Sequence, residues 1–73
     1  MRDFVERLLD EREELYIKMT KLEHFIQSDK AESMDKIAFL LLTAQLEAMK
    51  TYHRVLDERI TLLFKERIDL LLK

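Results

Sequence analysis

Cysteine, glycine and proline are all absent from this 73-residue chain. Without cysteine there is no disulfide and no thiolate metal site, and two histidines, His24 and His53, fall short of a convincing zinc site. Strand-rich folds lean on glycine and proline for their turns, whereas helices do without both. A long hydrophobic run is also missing. The longest unbroken apolar stretch, Ile37 to Leu42, is far short of the roughly 20 residues of a membrane span. Neither sign of charge dominates: 13 basic residues face 15 acidic ones, for a formal net charge of −2. That balance argues against a binder of polymeric nucleic acid, which needs a basic face. No signal peptide is visible, because Arg2 and Asp3 lead straight into an amphipathic pattern. The lack of cysteine is compatible with a reducing cytosol.

What is present is a helical composition, dominated by Leu, Glu, Lys, Arg, Ala and Met. Val5, Leu8, Arg12, Leu15, Met19, Leu22 and Ile26 recur in alternating steps of three and four, a heptad seam with Arg12 as its one polar member. Leu9, Tyr16 and Phe25 widen the stripe on one flank, while Phe4 and Ile17 lie off it. Glu14 and Lys18, four apart in the favourable order, support the same helix. A second seam follows: Leu42, Leu46, Met49, His53, Leu56, Ile60, Leu63, Arg67 and Leu70. Leu41, Ala48, Tyr52, Val55 and Leu62 form another stripe beside it, so this helix is expected to touch more than one neighbour. The one plausible break is Ser28-Asp29-Lys30-Ala31-Glu32-Ser33. Asp29 with Glu32 reads as a capping-box variant, and Ser33 ahead of Asp35 as an alternative N-cap.

The predicted fold is therefore all-α: a single antiparallel hairpin, with helix 1 at about 2–27, a loop at about 28–33 and a longer second helix at about 34–73. At 1.5 Å per residue the helices would be roughly 39 and 60 Å long. Folding them together sets Ile26 near Ile37 and Phe4 near Arg59, so that 61–73 overhangs. That tail carries seven large apolar residues. A core this small usually needs a staple, and with disulfides and metals set aside the remaining device is oligomerisation. An apolar overhang marks where it would occur, at about 1.5–3 kcal/mol per buried Leu or Phe. The hairpin is thus expected to assemble as a helical homo-oligomer.

Candidate chemistry is sparse. His53 on the seam precedes Asp57 by one turn, a pair that suits catalysis or metal binding, yet no third ligand or nucleophile keeps the spacing. A partly buried histidine with a hydrogen-bonded neighbour is the simpler assignment, and His24 is expected at the surface. Arg12 is expected to have a structural role, fixing register or oligomer state. Arg67, beyond helix 1, could meet an anion in a central opening or pair with Glu66 or Asp69 of a neighbour. Phe4, Arg7, Lys18 and Arg59 combine an aromatic with cations, a platform suited to a nucleobase and its phosphate. The same residues suit an ordinary solvated rim. No glycine-rich phosphate loop and no cysteine nucleophile is present, and no enzymatic activity is expected.

One further pattern is carried by Phe4-Val5-Glu6-Arg7-Leu8, Glu11, Glu14-Leu15, Lys18, Lys21-Leu22 and Phe25-Ile26-Gln27-Ser28. It continues in Gln45-Leu46-Glu47-Ala48-Met49-Lys50-Thr51-Tyr52, Val55-Leu56 and Arg59-Ile60. Over about residues 3–61 these words resemble the small phage hairpin family that includes the anti-CBASS cyclic-nucleotide sponges. Related hairpins occur in phage proteins opposing Thoeris defence and in small proteins of crAss-like phages. The resemblance implies a hexamer in the host cytoplasm that sequesters cyclic oligonucleotide messengers without cutting them. No cofactor and no membrane partner are expected. By matching positions, Phe4 and Lys18, with Thr20 close by, would hold the bases of cyclic dinucleotides between protomers, and Arg59 with Thr61 would bind cyclic trinucleotides. Phe4 stands where the family has a tyrosine, so that hydroxyl is missing. The competing expectation is a structural or adaptor coiled coil that binds a protein.

Overall fold

A computed structural model describes residues 3–72; the expected first residue of helix 1, Arg2, and last of the second helix, Lys73, lie outside them. The described chain is all-helical, with α1 at Phe4–Ile26, a one-turn α2 at Asp29–Glu32 and α3 at Lys36–Leu72. The 37 residues of α3 account for the long dimension of a 58 × 22 × 15 Å molecule at 1.5 Å rise per residue.

Both long helices start at an aspartate. Asp3 is extended and its Oδ1 accepts from the Glu6 backbone N–H at 2.8 Å. Asp35 does the same for α3, with Oδ2 accepting from the Ala38 N–H at 3.1 Å. A carboxylate in this position satisfies an orphan donor of the first turn and sits at the positive end of the helix dipole. The cap of the long helix is thus neither Asp29 nor Ser33, the two alternatives suggested by the sequence. The expected loop over 28–33 is itself partly helical, because Ser28 turns extended and α2 then coils back over one turn. Ser28 Oγ donates to the Phe25 carbonyl at 2.6 Å, and Ser33 Oγ to the Lys30 carbonyl at 3.0 Å. The buried methyl of Ala31 seats this turn on the hairpin. No described residue has positive φ, so the chain reverses direction without the conformation that favours glycine.

Both seams face one another as expected. Along α1 every seam residue from Val5 to Ile26 is buried or half-buried, and along α3 the same holds from Leu42 to Leu63. The core concentrates toward the open end, where Leu8, Leu56 and Ile60 form a buried cluster flanked by Leu9, Leu15 and Leu63. Leu56 is wholly inaccessible. Polar rungs tie the helices together above this cluster. Arg12 Nη1 meets Asp57 Oδ1 at 2.9 Å, and Lys50 Nζ lies 3.4 Å from Glu23 Oε2. Arg12, the polar member of the first seam, thus pairs across the hairpin with α3.

The overhang begins later than expected. Leu63 packs against the core cluster, and Arg67 Nη2 reaches to 3.9 Å from Asp3 Oδ2 at the start of α1. Arg67 thus has a weak intrachain partner, both side chains being more than half exposed. The other large tail residues, Leu62, Phe64, Ile68, Leu70, Leu71 and Leu72, remain exposed. So does the second stripe of α3, represented by Leu41, Tyr52 and Val55. Ile37, expected beside Ile26, is 68 % exposed. Among the described residues no helix is long and apolar enough to cross a membrane.

Candidate functional site

The open end of the hairpin holds a cleft of about 290 Å³ lined by Phe4, Arg7, Leu8, Glu11 and Arg59. Four of these come from α1 at steps of three and four, which places them on one face of the helix. Arg59 comes from α3 because the antiparallel register brings it beside the first turn of α1. Its guanidinium carbon lies 6.0 Å from the Phe4 ring centroid, within the range of a cation–π contact. Leu8 joins the cleft to the core: it lines the floor and is itself buried in the cluster with Leu56 and Ile60. The platform is therefore held by the packed part of the hairpin, while the Phe4 ring stays half-exposed.

Charge decides what this cleft can accept. Among the described residues, no ion pair involves the side chains of Arg7, Glu11 or Arg59. At the start of α1, Asp3 accepts from the Glu6 backbone N–H through its side chain and from the Arg7 N–H through its carbonyl. An anion in the cleft would have to be held by the two guanidiniums, which present donors in a fork matched to phosphate. An aromatic face beside them suits a planar heterocycle.

Of the residues singled out in the sequence, the hairpin brings together Phe4, Arg7 and Arg59. Lys18 and Thr20 lie elsewhere: Lys18 is fourteen residues beyond Phe4, about 21 Å along α1, and both are exposed. The Thr20 hydroxyl donates to the Tyr16 carbonyl at 2.9 Å. Thr61 is exposed on α3, but two residues after Arg59 it faces away from the cleft. Any shared role for these residues with Phe4 requires a second chain.

The histidine–carboxylate pair is a structural rung. His53 Nδ1 lies 3.5 Å from Asp57 Oδ2, while the other oxygen of Asp57 holds Arg12. The Tyr16 ring packs at 5.9 Å from the His53 ring. Both carboxylate oxygens thus have partners within the hairpin. Among the described residues no group of three or more His, Asp or Glu side chains could hold a metal ion. His24 is exposed, as expected.

Two features escaped the sequence reading. Glu11 enters the cleft; the sequence marks it by its place in the family-like pattern and by its position seven residues, two turns, after Phe4, neither of which assigns it a role. A second cleft, about 310 Å³, opens at the closed end between Ala31, Glu32, Met34, Lys36 and Phe39. It depends on the path of α2, which no local pattern encodes.

No curated protein and no solved structure matches the chain. A family model described as Sequestin matches residues 2–62. The span includes every residue of the Phe4–Arg59 cleft and stops where the exposed tail begins, so the cleft lies in the family's shared part and the tail beyond it. The chain belongs to the Sequestin family.

Proposed function

We propose that this protein is a phage anti-defence factor that binds cyclic oligonucleotide immune messengers in the host cytoplasm and sequesters them without hydrolysis. Membership of a family named for sequestration supports the binding role. The observation that carries the choice of ligand is the Phe4–Arg7–Arg59 cleft, an aromatic with two guanidiniums that have no ion-pair partner among the described residues. A base stacks on the ring and a phosphate takes the guanidiniums. Sequestration then follows from mass action: a nanomolar dissociation constant and micromolar protein keep free messenger low.

The protein acts as a homo-oligomer, a hexamer by the resemblance of its sequence. A cleft of about 290 Å³ falls at the bottom of the usual small-molecule range of about 300–1,000 Å³. One protomer therefore encloses part of a cyclic dinucleotide, and a second covers the rest. In that arrangement Lys18 and Thr20 of one chain approach Phe4 of another, and Arg59 with Thr61 serves cyclic trinucleotides. The exposed tail from Phe64 to Leu72 supplies apolar surface for assembly.

Native mass spectrometry of protein purified from messenger-producing cells tests this directly, because it reads stoichiometry and retained ligand together. An oligomer that releases intact cyclic nucleotide on denaturation is expected. Absence of ligand, with no titration heat from a panel of cyclic di- and trinucleotides, would sink the proposal. The second reading is a structural adaptor. It is favoured by the exposed stripe of Leu41, Tyr52, Val55 and Leu62 on α3, and it predicts a stoichiometric protein partner in place of the nucleotide.

A further inference from the structure

We infer that Glu11 selects the base, so that the cleft takes guanine-containing cyclic dinucleotides in preference to adenine-containing ones. The inference rests on the sponge reading of the same cleft. It starts from a misfit within that reading. Two cations and an aromatic suit a phosphorylated base, but Glu11 places a carboxylate among them. A carboxylate opposes phosphate binding, and no described cation pairs with it to cancel that effect. It becomes favourable when the ligand brings donors to it.

An ionised carboxylate only accepts, through two oxygens side by side. It is therefore complementary to an edge that presents two adjacent N–H donors. The Watson–Crick edge of guanine does so through N1–H and N2–H. Adenine sets a donor beside an acceptor there, cytosine likewise, and uracil flanks its single N–H with two carbonyls. Only guanine can bond both carboxylate oxygens, and adenine would point a lone pair at one of them.

The placement on α1 agrees with this division of labour. Glu11 lies two turns from Phe4, about 10.5 Å along the axis, and helical side chains lean back toward the N-terminus, which brings its carboxylate over the Arg7 turn. A base offset-stacked on Phe4 directs its Watson–Crick edge along α1 to Glu11. Its phosphates then lie toward Arg59 and Arg7, away from the negative charge.

Titration calorimetry of the full chain with cyclic di-GMP and cyclic di-AMP, for wild type, Glu11→Gln and Phe4→Ala, tests the inference. Wild type should bind cyclic di-GMP at least ten-fold more tightly, the scale of discrimination set by one bidentate base contact. Glutamine offers one acceptor and one donor, the pattern that pairs with adenine. Glu11→Gln should therefore weaken cyclic di-GMP about ten-fold and tighten cyclic di-AMP, so that the preference is lost or reversed. Glu11 is exposed on α1, so the variant keeps the fold, as its circular dichroism melt would verify. Equal wild-type affinities, or a preference untouched by Glu11→Gln while Phe4→Ala abolishes binding, would overturn the role of Glu11 and leave the cleft standing. No binding of either nucleotide by wild type would overturn both.

Discussion

Truncation of Leu56 to alanine bears on the hairpin at its centre. Leu56 is wholly inaccessible, and it closes the cluster with Leu8 and Ile60 that supports the Phe4–Arg59 cleft. Burial of such a side chain contributes about 1.5–3 kcal/mol, and truncation adds the penalty of the cavity left behind. Measured costs for buried leucines run from about 2 to 5 kcal/mol. Here the cluster is flanked by half-buried Leu9, Leu15 and Leu63, which can move inward, so the lower half of that range applies and about 3 kcal/mol is expected. A chain of this length has total stability of about 4–11 kcal/mol. The variant therefore loses between a quarter and most of it, and the melting midpoint falls by about 12–24 °C. Urea melts followed by far-ultraviolet circular dichroism provide the assay. Protein concentration is held fixed, because any self-assembly would contribute to apparent stability. Lys21→Ala, at an exposed position, serves as the control and should shift stability by less than about 0.5 kcal/mol. A loss under about 1 kcal/mol for Leu56→Ala, with an unchanged m-value, would mean that α1 and α3 do not close on this seam.

Three other outcomes follow from the same geometry. A double-mutant cycle over Arg12→Ala and Asp57→Ala should give a coupling of about 0.5–1 kcal/mol, since both side chains are part-exposed, and it should shrink at 1 M salt; zero coupling at low salt would remove the register role from Arg12. Asp35→Ala should destabilise by about 1 kcal/mol through loss of its bond to the Ala38 N–H, whereas Ser33→Ala should have little effect, and the reverse order would restore Ser33 as the cap. Replacing Leu70, Leu71 and Leu72 by serine should leave helicity intact and lower the sedimentation coefficient at micromolar concentration, because these side chains are exposed in the single chain; an unchanged sedimentation profile would exclude the tail from the assembly.

The architecture was legible in the sequence because it is periodic. Heptad spacing is a local property, and it named the buried faces of both helices from Val5 to Ile26 and from Leu42 to Leu63. Length arithmetic gave the overhang as well, and placed Phe4 beside Arg59. The turn was less legible. Ser28, Asp29, Ser33 and Asp35 are all competent helix starters, so local pattern alone does not choose among them; in the fold α2 takes up Asp29–Glu32 with Ala31 buried, and Asp35 caps α3.

The candidate site divides in the same way. Residue types fixed in advance that an aromatic and several cations sit in the outer positions of the two helices, and that apolar surface exceeds what one hairpin can cover. Tertiary structure decided which of those cations share a cleft. Antiparallel pairing put Arg59 into one cleft with Phe4, as length arithmetic anticipates, while the helical repeat of α1 by itself sets Arg7 and Glu11 on the face of Phe4 and Lys18 some four turns away. A helix records in its own sequence which face it will bury, but which residues meet across two helices is set by register, and register is fixed only once the core has closed.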